Sequence, residues 1–140
     1  EIDAVITFEI ADFGTWTGIR FEGTTLPLNL TDDYPTPQYL SGSILRNVHI
    51  RGASLPLEMR NSSGVYLENV NLEMQGDFGP YNEAPSSIEI SEAVPNSTFV
   101  LNSVNVSDAS GFLLLDGEAT VYIQELEGTN LLNTSVLDVL

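Results

Sequence analysis

The chain predicts an all-β, single-domain solenoid of about five stacked coils spanning residues 1–140, and three observations predict it. The first is a recurring pattern. Ile44-Leu-Arg-Asn47-Val48 returns as Tyr66-Leu-Glu-Asn69-Val70, as Val100-Leu-Asn-Ser103-Val104 and as Tyr122-Ile-Gln-Glu125-Leu126, with spacings of 22, 34 and 22 between the final residues. The second is alternation of apolar and polar residues with period 2, the mark of a strand with one buried face. The third is punctuation: Asn, Gly and Pro fall between the runs, and no stretch carries a helical stripe. Eight or more short strands with turn signals also fit an antiparallel β-sandwich, the alternative fold.

Taken in order, the chain opens on EIDAVITFEI, which places Ile2, Ala4, Ile6, Phe8 and Ile10 on one face of a strand. Residues 1–10 lie outside the repeat and are read as a strand-exchange segment that covers a neighbour's open edge. Next, Ile19–Leu30 lies over Val48–Met59 at an offset of 29, matching GTTLPLNL to GASLPLEM. The repeated LPL therefore marks one coil on another. Each coil is expected to hold three strands, represented by 65–68, 70–73 and 55–59. Asn47, Asn69 and Ser103 sit at the corner between the first two, where the left-handed conformation is required and Asn tolerates it. Gly23, Gly52 and Gly76 open the corner after the second strand. Two insertions, TDDYPTPQYLSG at 31–42 and QGDFGPYNEAPSS at 75–87, lengthen corners and account for the irregular spacings. The chain runs apolar to Leu140 without a polar cap, so both ends of the stack are expected to be uncapped.

Coil length, the Asn corner and the alternation over residues 17–128 resemble the right-handed parallel β-helix of the pectin-lyase-like superfamily. The resemblance is at the level of fold. It implies a site, if there is one, on the outer face of one sheet, built from clustered carboxylates with calcium or a basic residue. On that reading Glu58 and Glu89 point outward from adjacent third strands, about 5 Å apart by strand spacing, with Asp116 near them. Chance pairing among 20 acidic residues explains the same pair. No Arg except Arg60 is expected on that face.

Other chemistry has little to stand on. There is no cysteine and no lysine, and His49 is the single histidine, which excludes a histidine metal cluster. His49 alternates with Val48 and Ile50 and is expected to face solvent. Ser62 and Ser110 lie in turns without a nucleophile elbow. No catalytic residue is assigned, and a metal ligand set is unknown. No cofactor is expected, calcium being the one that the carboxylates leave open. Tyr66 and Tyr122 occupy equivalent outward positions suited either to sugar stacking or to cross-strand packing.

The net charge is −16, from 20 acids against four arginines. Such a charge repels phosphate backbones and anionic membranes, so neither nucleic acid nor membrane insertion is expected. No apolar run approaches the ~20 residues that span a bilayer. The chain starts at Glu1 with no secretory signal, which fits a processed secreted protein or an excised segment. Five sequons, at Asn29, Asn61, Asn96, Asn105 and Asn133, exceed the roughly two that chance supplies and favour an extracellular or cell-surface glycoprotein. Turn chemistry alone also clusters Asn with Ser and Thr. The function expected is a non-enzymatic subunit of an extracellular filament, fibre or surface structure, meeting copies of itself end to end. The alternatives are a carbohydrate-active or carbohydrate-binding β-helix, such as a spike, adhesin or lyase-like fragment, and a viral particle component.

Overall fold

The computed structural model describes residues 7–8, 17–23, 27–33, 35, 37–73, 86–109, 111–129, 131 and 137–139. Thirteen strands are formed: β1 (Thr7–Phe8), β2 (Ile19–Glu22), β3 (Asn29–Leu30), β4 (Tyr39–Ser41), β5 (Ile44–Arg51), β6 (Leu57–Arg60), β7 (Tyr66–Glu73), β8 (Ser86–Ser91), β9 (Ser97–Ser107), β10 (Gly111–Leu115), β11 (Ala119–Ile123), β12 (Leu126–Thr129) and β13 (Leu137–Val139). No helix occurs among the described residues.

The strands form two parallel sheets. The first runs β1-β5-β7-β9-β11, with β12 also paired to β9, and the second runs β13-β10-β8-β6-β2. From β5 to β11 the chain alternates between the two sheets, so strands of one sheet are joined through a strand of the other; β12 then follows β11 in the first sheet, and β13 returns to the second. Parallel pairing excludes the antiparallel sandwich for these strands. Among the described residues the one antiparallel pair is β3 with β4.

Register follows the sequence repeat in the first sheet. Val48 pairs with Val70, Val70 with Val104, and Leu126 with Val104. The three valines are buried and Leu126 packs partly buried against the same core. Leu45, Leu67 and Leu101 form a second interior column, and Ile123 continues its register on β11 but is exposed. The opposite wall supplies Leu57, Ile88 and Leu113, and Met59, Ile90 and Leu115, in matching register. These side chains make one continuous core. Each fully buried aliphatic side chain contributes about 1.5–3 kcal/mol.

The corners are also stacked. Asn47, Asn69 and Ser103 have φ of 55°, 51° and 58°, as a left-handed corner requires. The backbone ladder continues through them, so β5, β7 and β9 each run as one bent strand where two had been expected. Asn69 donates from Nδ2 to Oδ1 of Asn47 at 2.7 Å, tying neighbouring corners together. A second left-handed column, unforeseen from the repeat, follows the strands of the other sheet: Gly23, Asn61, Glu92 and Gly117, with φ of 83°, 49°, 50° and 115°. The parallel ladder reaches this corner through Gly23 N to Arg60 O, at 3.3 Å, and Asn61 N to Ser91 O, at 3.1 Å. Gly52 and Asp108, both at positive φ, mark a third corner.

Two expectations are corrected here. The LPL repeat does not stack coil on coil. Ile19 pairs with Leu57, and Phe21 with Met59, a register of 38 rather than 29. Asn29 and Leu30 leave the parallel stack to pair with Ser41 and Tyr39. The physical reason is that the insertion at 31–42 folds back as a hairpin and captures the end of the first LPLNL run. Gly23 accordingly turns the corner occupied by Asn61, not the one occupied by Gly52. Gly76 lies outside the described residues.

The hairpin lies against the first sheet. Tyr39 meets Tyr66 edge-on, with ring centroids 5.7 Å apart. Gly64 sits beneath it, where an added Cβ would collide with the Thr98 carbonyl and touch Leu28. Thr7 and Phe8 pair with His49 and Ile50 of their own chain. Ile2, Ala4, Ile6 and Ile10 lie outside the described residues.

The corner column makes a graded prediction for stability in urea. Asn69→Gly keeps the left-handed backbone but loses the bond to Asn47, a cost of about 1 kcal/mol. Asn69→Ala should fall a further ~1–2 kcal/mol, because alanine resists that conformation. Equal midpoints for the two variants would show that the corner does not govern stability.

Candidate functional site

The outward residues form rows whose members sit on successive strands about 4.8 Å apart. In the second sheet one row reads Arg20, Glu58, Glu89 and Leu114. Glu58 and Glu89 are thus register neighbours, as the spacing predicted. The expectation that no arginine but Arg60 reaches this face is wrong. The register of 38 carries Arg20 there, and its Nε lies 2.6 Å from Glu58 Oε2. The Glu58 side chain is only 14% exposed, so its carboxylate is partly withdrawn from water and held by the guanidinium. The face therefore presents one neutralised carboxylate beside Glu89. Asp116 lies one step further on, its N–H bonded to Ile90 O at 2.8 Å.

The other arginines likewise pair with a glutamate on, or just beyond, the next strand of the sheet. Arg46 pairs with Glu68, Arg51 with Glu73 at 3.2 Å, and Arg60 with Glu92 at 2.8 Å. The last pair is solvent-exposed. The Arg60 guanidinium, by hydrogen bond and then by charge, holds the Glu92 carboxyl below its usual range, and Glu92 raises Arg60 in return. Glu92 occupies the left-handed column despite its side chain, which a non-glycine residue adopts at a cost of about 1–2 kcal/mol.

A second candidate surface lies on the first sheet. His49, Asn71, Asn105 and Glu127 form one outward row, with Arg51, Glu73, Ser107 and Thr129 beside it. His49, Asn71, Leu72, Glu73, Asn105 and Ser107 line a shallow groove of about 250 Å³. His49 faces solvent as expected, and its Nε2 lies 3.2 Å from Glu73 Oε2. The same carboxylate meets Arg51 through its other oxygen. A row of amides on adjacent strands can donate and accept hydrogen bonds along an extended polar ligand. The sequence placed His49 outward but its grouping with Asn71 and Asn105 was missed, although the signal was present: each follows the repeated Val48, Val70 or Val104 by one position, and so must point outward.

Sugar stacking on Tyr66 is closed off. The ring points outward but is buried beneath β4, and its hydroxyl accepts from Asn102 Nδ2 at 3.2 Å. Tyr122, its register equivalent beyond Val100, is half-buried. Ser62 is buried, and its Oγ accepts from the Gly64 N–H at 3.3 Å. Ser110 lies outside the described residues. No group of three or more His, Asp or Glu side chains able to hold a metal ion occurs among the described residues.

Of the sequons, Asn61 and Asn96 are exposed in corners. Asn105 is exposed in the groove. Asn29 is exposed and donates to Ser41 Oγ at 2.8 Å. Asn133 lies outside the described residues.

Comparison with protein families, with curated proteins and with solved structures gives no match.

The Arg60–Glu92 pair predicts a pH effect of defined sign. Because the folded pKa of Glu92 is depressed, the pair contributes above the ordinary carboxylate range and is lost as the pH falls through the lowered value. In an NMR titration the Glu92 midpoint should lie below that of an unperturbed glutamate, and Arg60→Gln should return it to the ordinary range. An unchanged midpoint in the variant would remove the assignment.

Proposed function

We propose that the two sheets are walls of a right-handed parallel β-helix, and that the protein is a non-enzymatic structural subunit that associates end to end outside the cell. Crossovers between parallel strands of one sheet are right-handed in about 98% of cases, which supports the handedness. The left-handed corner columns support the winding, since each turns the chain at the same place on successive coils.

The observation that carries the assembly reading is the end of an interior column. Leu45, Leu67 and Leu101 continue to Ile123, and Ile123 is 47% exposed on the outermost described strands of its sheet. An isoleucine in line with a core and open to water favours one more rung. A second copy stacked on β11–β12 would supply it, with strand pairing as the adhesive. A heterologous contact of this kind propagates without closing unless the rotation permits, and gives a filament. Pairing of all four arginines to glutamates on, or just beyond, neighbouring strands supports a scaffold whose polar groups hold strand to strand.

Assembly should appear in size-exclusion chromatography and negative-stain microscopy as species growing with concentration. Salt should strengthen it, because a charge of −16 per chain repels its copies and ions screen that repulsion. Ile123→Asp should weaken association by about 30-fold or more, from the ~2 kcal/mol of apolar burial forgone, with the circular dichroism unchanged. A wild-type chain that stays monomeric at every concentration and salt level would overturn the reading.

The groove on the first sheet favours a second reading, carbohydrate binding. Its amide row, Asn71 and Asn105, suits an extended polyhydroxylated chain. Titration calorimetry against neutral and acidic oligosaccharides should then give heat that Asn71→Ala with Asn105→Ala abolishes. The absence of heat from the whole set would leave the structural role alone.

A further inference from the structure

The four sequons among the described residues are not equivalent in space, and their placement separates two from the other two. Asn61 opens the connection from β6 to β7, and Asn96 closes the connection from β8 to β9. Both connections lead from the second sheet to the first, so both asparagines lie along one lateral edge of the stacked strands. Both are exposed and both hold a left-handed backbone, with φ of 49° and 63°. At Asn96 the chain makes a turn closed by Ser97 N to Val94 O at 2.9 Å, with Pro95 and Asn96 in the middle. Neither side-chain amide has a hydrogen-bond partner given among the described residues, unlike Asn47 and Asn69, which are bonded to each other.

The remaining sequons differ. Asn29 lies in an antiparallel ladder with its amide committed to Ser41. Asn105 is fixed in the middle of a sheet, with Asn71 on one neighbouring strand and Glu127 on the other. A sugar on Asn105 would have to stand among those side chains, over the groove. A left-handed corner explains an asparagine without any modification, as Asn47 and Asn69 show. The corner itself does not require Ser or Thr two residues on, since neither Asn47 nor Asn69 has one, whereas Asn61 and Asn96 do.

We propose that Asn61 and Asn96 are N-glycosylation sites and that Asn29 and Asn105 are not. In this reaction the side-chain nitrogen attacks the anomeric carbon of a lipid-pyrophosphate-linked oligosaccharide. The N–C bond forms, the C–O bond to the carrier breaks, the amide nitrogen loses one proton, and the lipid pyrophosphate leaves. Glycans on this edge project sideways from the stack and away from the β11–β12 end. They would therefore oppose lateral bundling without blocking end-to-end contact. The inference rests on the extracellular address proposed above.

The test has two arms, both read by mass spectrometry after enzymatic release of glycans in heavy-oxygen water, which marks each formerly occupied asparagine as a labelled aspartate. The full chain directed through the secretory pathway of a eukaryotic host should carry label at Asn61 and Asn96 and none at Asn29 or Asn105. Asn61→Gln and Asn96→Gln should each remove one glycan from the intact mass, and the double variant both. Bare Asn61 and Asn96 in that host, or label at Asn105 equal to theirs, would overturn the assignment. Native protein bare at all sites, set against a host-expressed chain labelled at these two, would overturn the extracellular address while supporting the acceptor assignment. Because occupancy is read on digested protein, the result is independent of assembly.

Discussion

The structure depends on one constraint: parallel strands must stack residue over residue while the chain between them turns at the same places each time. In a parallel sheet each strand is bonded to strands distant in the chain, so the intervening segment must return the backbone to the same register. Left-handed residues make that return. Asn47 stands beside Asn69, and Asn61 beside Glu92, so the bend in one strand is matched by the bend in the next and the same register resumes beyond the corner. Once the corners are in line, Val48, Val70 and Val104 fall on one interior column without further instruction.

The same stacking organises the surface. Any outward residue has a neighbour about 4.8 Å away on each adjacent strand, close enough for direct pairing and too close for like charges to be neutral in effect. The four arginines are placed accordingly, each against a glutamate on, or just beyond, the next strand. All of them lie between residues 20 and 60, whereas residues 61–140 carry no cation. Charge pairing is therefore concentrated on and around the strands from β2 to β8, whereas Glu127 on β12 and the flanking Glu118 and Glu125 are exposed near Ile123.

Decoration of the stack has its own logic. Among the described residues the hairpin β3–β4 is the one departure from parallel pairing, and it is used as a cover. It buries Tyr66 on the outer side of the first sheet, where an aromatic ring would otherwise face water. Beyond the corner at Asn47 and Asn69, the His49–Asn71–Asn105 row remains open as a polar groove.

What the sequence determined by itself was everything written in short-range periodicity. Alternation placed His49, Asn71 and Asn105 outward and the valines inward, and the recurrence of Asn before Val located a corner and the register of β5, β7, β9 and β12. Glu58 and Glu89 could be paired because both follow a buried aliphatic residue in similar strands. Tertiary structure decided the rest. The likeness of GTTLPLNL to GASLPLEM is a local preference for a corner followed by a short strand, and such a preference does not say which partner the strand takes. The hairpin captured Asn29 and Leu30, which sent β2 rather than the first LPL run to β6. Arg20 reached Glu58 for that reason alone. Register between distant segments is set by the total of inserted loops and by competing pairings, and neither quantity is visible in a window of ten residues.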